Sequence, residues 1–485
     1  MRTLQNVNVN NRFLLLLSCV LALSACVGVD EQTESIDFGA LVTEYSDGTN
    51  HLPNNIPIPD ASGVFTTVSS SGSIDLNNEF FQDLGTNGRR CVSCHLPTAG
   101  WSITPKQLQD VFDATKGGVL NDGLGLGAVF RTVDGSTTPN ADVSTLDKRR
   151  QAYSMLLKKG LIRVGLPVPA NAEFELIKVD DPYKFASAAE LSLFRRPLQI
   201  ANLKFISTVM WDGREVVPGQ SVAFDLTNQA NTAVVTHAQG QPLTDAQRAS
   251  IVQFEGALAS AQIIDNQAGD LRDDGAQGGP DQILAQPFYI GINDNFGDRL
   301  TGAPFNPVVF TIFASWTNAV GSAAKARQSV ARGQVLFNSH PIAIAGVSGI
   351  NDEAVFGKPA VLTGTCSTCH DTPDAGSHSV VAPLNIGVSD ASRRTADMPL
   401  YTFRNKTTGE VVQVTDPGRG LIDGKWSHIG RFKGPTLRNL ASRAPYFHNG
   451  SADDLGSVVS FYNQRFHIGF TLQEKADLVA FLGSL

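Results

Sequence analysis

Cys91-Val92-Ser93-Cys94-His95 and Cys366-Ser367-Thr368-Cys369-His370 are the two stretches on which the reading of this chain turns. Each sets two thiols three positions apart, with an imidazole directly after the second. Thiols so spaced share one face of a helical turn. They can form thioethers with the vinyl groups of a haem, while the adjacent histidine ligates its iron. A redox or structural disulfide needs neither that histidine nor a second copy. A zinc site using all four cysteines is the other metal reading, and it has to be assembled from remote segments in an oxidising compartment. The motifs predict two covalently bound haem c groups, held by Cys91 and Cys94 and by Cys366 and Cys369. His95 and His370 are then the iron ligands.

The remaining cysteines, Cys19 and Cys26, lie near the N-terminus. Arg2 and Arg12 precede the apolar run Phe13–Ala22, and Leu23-Ser24-Ala25-Cys26 follows it. This pattern predicts a signal peptide over 1–25, too short for a stable membrane anchor. Its end resembles a bacterial lipobox, which makes Cys26 the lipid attachment point on the periplasmic side. Val27 follows, with no aspartate, and that favours the outer membrane. Export agrees with haem attachment outside the cytoplasm. The chain has 485 residues, 42% hydrophobic and 17% charged, a globular balance that excludes a disordered, collagen-like or polytopic membrane protein. Its net charge of −8 becomes −10 once Arg2 and Arg12 are removed with the leader. No basic stripe is present, so nucleic acid is not an expected partner.

Residues 26–75 are rich in Ser, Asn, Gly and Pro and read as a flexible tether. A first haem domain is expected over 76–321, with a short apolar helix at 80–84 and an insertion at 116–195. Gly123, Gly125 and Gly127 lack the lysine of a phosphate loop and read as a plain loop. The capped, periodic segment 243–264 predicts a helix, and the acidic stretch 265–282 a solvated loop. A second haem domain is expected over 322–485, with helices at 323–337 and 472–485. The fold expected is mainly α: two cytochrome c-like haem domains with long loops and an insertion in the first.

Further blocks surround the haem motifs. Met210-Trp211-Asp212-Gly213-Arg214 stands between them. Phe432-Lys433-Gly434-Pro435-Thr436-Leu437-Arg438-Asn439 and Ala444-Pro445-Tyr446-Phe447-His448-Asn449-Gly450-Ser451 follow the second. In this order the blocks resemble the signatures of the bacterial di-haem cytochrome c peroxidases and their relative MauG. The resemblance implies a peroxide-binding iron on His95 and an electron-transfer iron on His370, with Trp211 as the relay between them. It also implies a propionate contact for Arg214, whose guanidinium suits carboxylates. Core packing for Trp211 and a surface ion pair for Arg214 are the plainer readings.

The sequence departs from that family in three places. Many members close the first iron with a distal histidine after the motif, but here Asp110-Val111-Phe112 stands there and no histidine occurs between His95 and His237. An open first iron follows. Cleavage of the O–O bond needs an acid–base group above the iron. Where the family uses a glutamate this chain offers His237, with Gln239 as an orienting group and Glu255 as a further candidate. The methionine position of the second haem falls on Tyr462, as in MauG, with His467 and Met398 as rival ligands. The family's Ca²⁺ site asks for an asparagine where this chain has Arg196, a side chain that cannot ligate a cation. A guanidinium is expected to stand in for the ion electrostatically.

The resemblance implies reduction of hydrogen peroxide to water, with electrons from a small cytochrome c or cupredoxin. Two other readings stand beside it. One is MauG-like oxidation of a protein or organic substrate, favoured by Tyr462 and the open first haem. The other is a non-catalytic di-haem electron carrier, which requires a sixth ligand on both irons. Family members often form homodimers, and a homodimer is the implied assembly.

Overall fold

A computed structural model describes residues 37–46 and 48–485. The leader expected over 1–25 and the lipid site at Cys26 lie outside the described residues. Both CxxCH stretches fold as a turn of 3-10 helix, Cys91–Ser93 and Cys366–Thr368. The amides of His95 and His370 donate to the carbonyls of Cys91 and Cys366 at 3.0 and 3.1 Å. The hydroxyls of Ser93 and Thr368 accept from the amides of Arg90 and Thr365 at 3.1 and 3.0 Å. A short hydroxyl side chain at that position closes the turn by local bonding. The two motifs thus share one local geometry.

Each motif sits against its own apolar cluster. Phe80, Trp101, Phe112, Phe130 and Leu156 form the first, with Cys91 and Cys94 packed on it. Phe310, Phe313, Trp316, Phe337 and Phe481 form the second. Ile342, Ile344 and Phe466 complete the surroundings of Cys366, Cys369 and Tyr462. Helix Ala324–Ser339 packs closely on helix Leu472–Gly483, whose start carries a Thr471/Glu474 capping box. A Cβ at Gly333 would stand 2.0 Å from the Asp477 carbonyl oxygen, so glycine is what permits this approach.

The fold is mixed rather than mainly α. Among the described residues there are eleven α-helices and thirteen short strands in five antiparallel sheets. The segment expected as one helix over 243–264 is a helix only over Asp245–Gly256. It continues as the strand Leu258–Asp265. That strand pairs with Gly63–Ser69, inside the segment expected as a tether. Residues 38–75 are therefore largely folded, and Phe38, Leu41, Leu52 and Phe65 are buried in the first core. Pairing across this distance leaves no local periodicity to read, which is why composition suggested a spacer.

The segment 116–195 is likewise more than an appendage. Strand Phe174–Asp180 pairs with Leu400–Asn405 from the far end of the chain. Strand Ile162–Leu166 pairs with Leu191–Arg195 and so fixes the residues that follow it. The first of these pairings crosses the boundary expected at 321/322, and the described residues hold together as a single unit. No helix among the described residues is long and apolar enough to cross a membrane.

Candidate functional site

A cavity opens over the first motif and another over the second. Cys91, Cys94 and His95 line the first, and Cys366, Cys369 and His370 line the second. His95 Nδ1 lies 3.2 Å from the Trp101 carbonyl oxygen, and His370 Nδ1 lies 2.6 Å from that of Gly376. Each ring is thereby set with Nδ1 as the donor, and Nε2 is the nitrogen available to a metal. Burial pulls His95 down to about 4 and also lowers His370, so both imidazoles are uncharged at neutral pH, as ligation requires.

One side of the first cavity comes from helix Val222–Thr236, capped by Ser221 and presenting Leu226, Ala230 and Val234 on its buried face. The helix ends at His237, which lines the cavity. His237 Nδ1 is hydrogen-bonded to the Asp134 carboxylate, which also pairs with Arg89. Arg89 is itself fixed by the carbonyls of Ala128, Val129 and His237 at 2.9, 2.9 and 3.0 Å. Burial would raise the Asp134 carboxyl, but Arg89 and His237 hold it below its ordinary value. The result is a carboxylate–imidazole pair at the cavity lining, bonded through Nδ1. Asp134 was not foreseen, since it lies in the segment read as an insertion and nothing in local spacing ties it to His237.

The other candidates divide. Glu255 lines the same cavity, and burial pushes its carboxyl up to about 8, so it is uncharged at neutral pH. Gln239 is exposed, is not a lining residue, and its side chain lies 3.5 Å from Asn87 Nδ2, so the expected orienting role has no geometric support. Tyr462, on helix Leu455–Arg465, lines the second cavity, and burial raises its hydroxyl. Its rivals do not reach that cavity. Met398 is buried beside Met155, Leu161 and Phe194, and His467 is exposed.

One wall is common to both cavities, and Trp211 stands in it with Arg196, Pro197, Leu198, Gln199 and Lys433. The indole Nε1 donates to the Arg196 carbonyl at 2.8 Å, and the Lys433 amide donates to the Trp211 carbonyl at 2.9 Å. Beneath this wall runs a buried ion network. Arg195 donates to both oxygens of Asp416 at 2.7 and 3.0 Å and also pairs with Asp212. Burial opposes the charge on Asp212, yet Arg195 and Arg214 hold it at about 2. Arg214 lines the first cavity while sharing Asp212, at 3.2 Å. His448, read in the sequence only as part of a motif, lines the second cavity and stacks on Phe432 at 3.8 Å. Its ring lies edge-on to Trp211 at 6.2 Å.

The Arg196 side chain answers the calcium question. Its guanidinium donates to the carbonyls of Ile103, Lys159, Gly160 and Arg443 at 2.6, 3.0, 3.3 and 3.1 Å. The Ala444 carbonyl completes the group at 3.5 Å. The carbonyls of Arg443 and Ala444, at the start of the Ala444-Pro445-Tyr446 block, are thus taken by an organic cation. No cluster of three or more His, Cys, Asp or Glu side chains suited to a metal ion occurs among the described residues, so the four-cysteine zinc reading is not met. Uncharged, oriented imidazoles beside paired thiols in apolar cavities fit haem c instead.

No family model matches the chain. Over 132 residues it is 33% identical to the cytochrome-c peroxidase IdrP2 of Denitromonas iodatirespirans, covering 25% of this chain and 36% of that protein. Over 120 residues it is 29% identical to the methylamine utilization protein MauG of Paracoccus denitrificans (strain Pd 1222), covering 22% of this chain and 27% of that one. A solved MauG-like protein associated with microbial copper homeostasis aligns at a TM-score of 0.37 and 16% identity, over 90% of this chain and 94% of the other. The matches span between 27% and 36% of the length of these curated relatives. Over about a quarter of its length it is similar in sequence to cytochrome-c peroxidases and to MauG.

Proposed function

We propose that this chain is a di-haem c-type peroxidase that reduces hydrogen peroxide to water with electrons from an external donor. The observation that carries the proposal is the pair of cavities, each lined by a CxxCH motif and separated by a wall containing Trp211. Haem c bound at both motifs supplies the iron that takes peroxide and passes oxidising equivalents. The chain's own residues do the rest. Cys91, Cys94, Cys366 and Cys369 supply thioether sulfurs, and His95 and His370 supply Nε2. His237, held through Nδ1 by Asp134, accepts a proton at Nε2 from the incoming peroxide and returns it to the departing oxygen. Trp211, fixed at both its indole and its carbonyl, spans the path between the cavities. The donor in this reading is a small cytochrome c or cupredoxin. Export by residues 1–25 and a lipid on Cys26 belong to the same proposal.

A second reading is MauG-like oxidation of a protein or organic substrate. Tyr462 favours it, because an oxygen donor in the second cavity stabilises higher iron oxidation states than a thioether does. The deciding measurement mixes the oxidised protein rapidly with one equivalent of hydrogen peroxide and follows haem absorption. A fast change without prior reduction is the expected result, and an unchanged spectrum overturns the proposal of an open first site. Replacing Tyr462 by Phe then separates the two readings. Loss of oxidising equivalents on the second haem, with haem loading kept, supports the MauG-like chemistry.

A further inference from the structure

The wall between the cavities contains two polar side chains that the chemistry above does not use. Gln199 is 7% exposed, and neither its Oε1 nor its Nε2 has a hydrogen-bond partner. Lys433 donates from Nζ to the Thr208 carbonyl at 2.8 Å and has no carboxylate partner among the described residues. Burial pulls its ammonium down to about 8. Both side chains line both cavities, beside the apolar Pro197 and Leu198.

A buried amide with both ends unpaired is costly to keep, and native proteins retain few of them. A buried ammonium without a counter-charge is costlier still. An apolar pair of the same size would close this wall at no such cost. Two buried donors lining shared space, one of them with both amide atoms unpartnered, point to an anionic acceptor that arrives with the occupants. A carboxylate matches the pair: an ammonium offers it charge, and an amide nitrogen has two N–H groups, one for each side.

We propose that Gln199 and Lys433 form a carboxylate clamp in the shared wall, taking a propionate of the haem in each cavity. The inference rests on the reading of haem at both motifs. Gln199 and Lys433 are positioning residues: they fix the occupants' carboxylate edges against the wall that holds Trp211. They also partly neutralise the carboxylates' charge, which would otherwise favour the ferric state of both irons.

The test uses the haem-loaded protein, with spectroelectrochemical titration of each haem. Haem content of the wild type decides the underlying reading, and two haems per chain are expected. The potentials decide the clamp. Gln199→Leu is expected to lower the midpoints of both haems while haem content stays at two. Lys433→Met is expected to lower both as well. Gln199→Glu keeps the shape where leucine fails to fold, and its added charge is expected to lower both midpoints and make them pH-dependent. A purely structural glutamine would leave both midpoints in place and let leucine match or raise thermal stability. Unchanged potentials, or a shift at one haem alone, overturn the clamp.

Discussion

His237 shows how much depends on one partner. A histidine at a helix C-terminus is an ordinary feature, and what gives this one direction is the Asp134 carboxylate on Nδ1, braced by Arg89. Asp134→Asn removes the charge and keeps the shape. Its expected effect is a loss of about 10²–10⁴-fold in the rate of reaction with peroxide, with haem content unchanged, read by stopped-flow absorption. An unchanged rate removes the pair from the mechanism. Glu255 carries a separate prediction in pH. Its folded value of about 8 lies above the ordinary value of about 4.3, so the folded state keeps a proton that the unfolded state releases. That contribution is complete below about pH 4 and is lost as the pH rises through 8. Wild type is therefore expected to lose stability against Glu255→Gln over that interval in paired denaturant titrations, and parallel curves would contradict it. At this scale the sequence was legible where chemistry is local. The CxxCH spacing nominates Cys91, Cys94, His95, Cys366, Cys369 and His370, and the structure places them in the two cavities, with Trp211 in the wall that both share. His237 could be nominated, but its carboxylate could not, because Asp134 reaches it only through the fold.

Elements were legible in proportion to how locally they are determined. Helices Ala324–Ser339 and Leu472–Gly483 follow from apolar periodicity, the second also from its Thr471/Glu474 capping box, and lie close to where the sequence put them. Strand Leu258–Asp265 follows from its partner instead. Leu258-Ala259-Ser260-Ala261 continues the preceding helix in composition, and only pairing with Gly63–Ser69 makes it a strand. The segment read as a tether is therefore structural. Phe65 is fully buried, and the Trp101 indole donates to the Thr67 hydroxyl at 2.9 Å, close behind His95. A chain beginning at Leu76 loses that strand and the buried side chains of Phe38, Leu41 and Leu52. Such a chain is expected to be insoluble or to lack stable haem at the first motif, whereas one beginning at Asp37 carries two haems. Equal haem content and equal melting temperatures for the two would return residues 38–75 to the status of a spacer.

At the scale of the whole molecule, the feature that the sequence marked as a departure is what joins its parts. Arg196 follows the strand Leu191–Arg195, and its side chain gathers carbonyls from residues 103, 159, 160, 443 and 444, which are remote in sequence. Its own carbonyl receives the Trp211 indole. Gly160, at a φ of +61°, is what lets the guanidinium in, since a Cβ there would stand 2.0 Å from one of its nitrogens. Burial lowers Arg196 to about 9, yet it remains charged at neutral pH, with carbonyl oxygens as its acceptors. A planar cation with five N–H groups can satisfy such a cage, whereas lysine has three donors and no plane. Arg196→Ala leaves several buried carbonyls unpaired at about 1–3 kcal/mol each, so a loss of roughly 3 kcal/mol or more is expected in equilibrium denaturation. Arg196→Lys should fall between the two. Because the cation is covalent, a calcium chelator is expected to leave the wild-type melting temperature where it was. A chelator-sensitive wild type, or an alanine variant within about 1 kcal/mol of it, would mean that the carbonyls are organised by something other than this arginine.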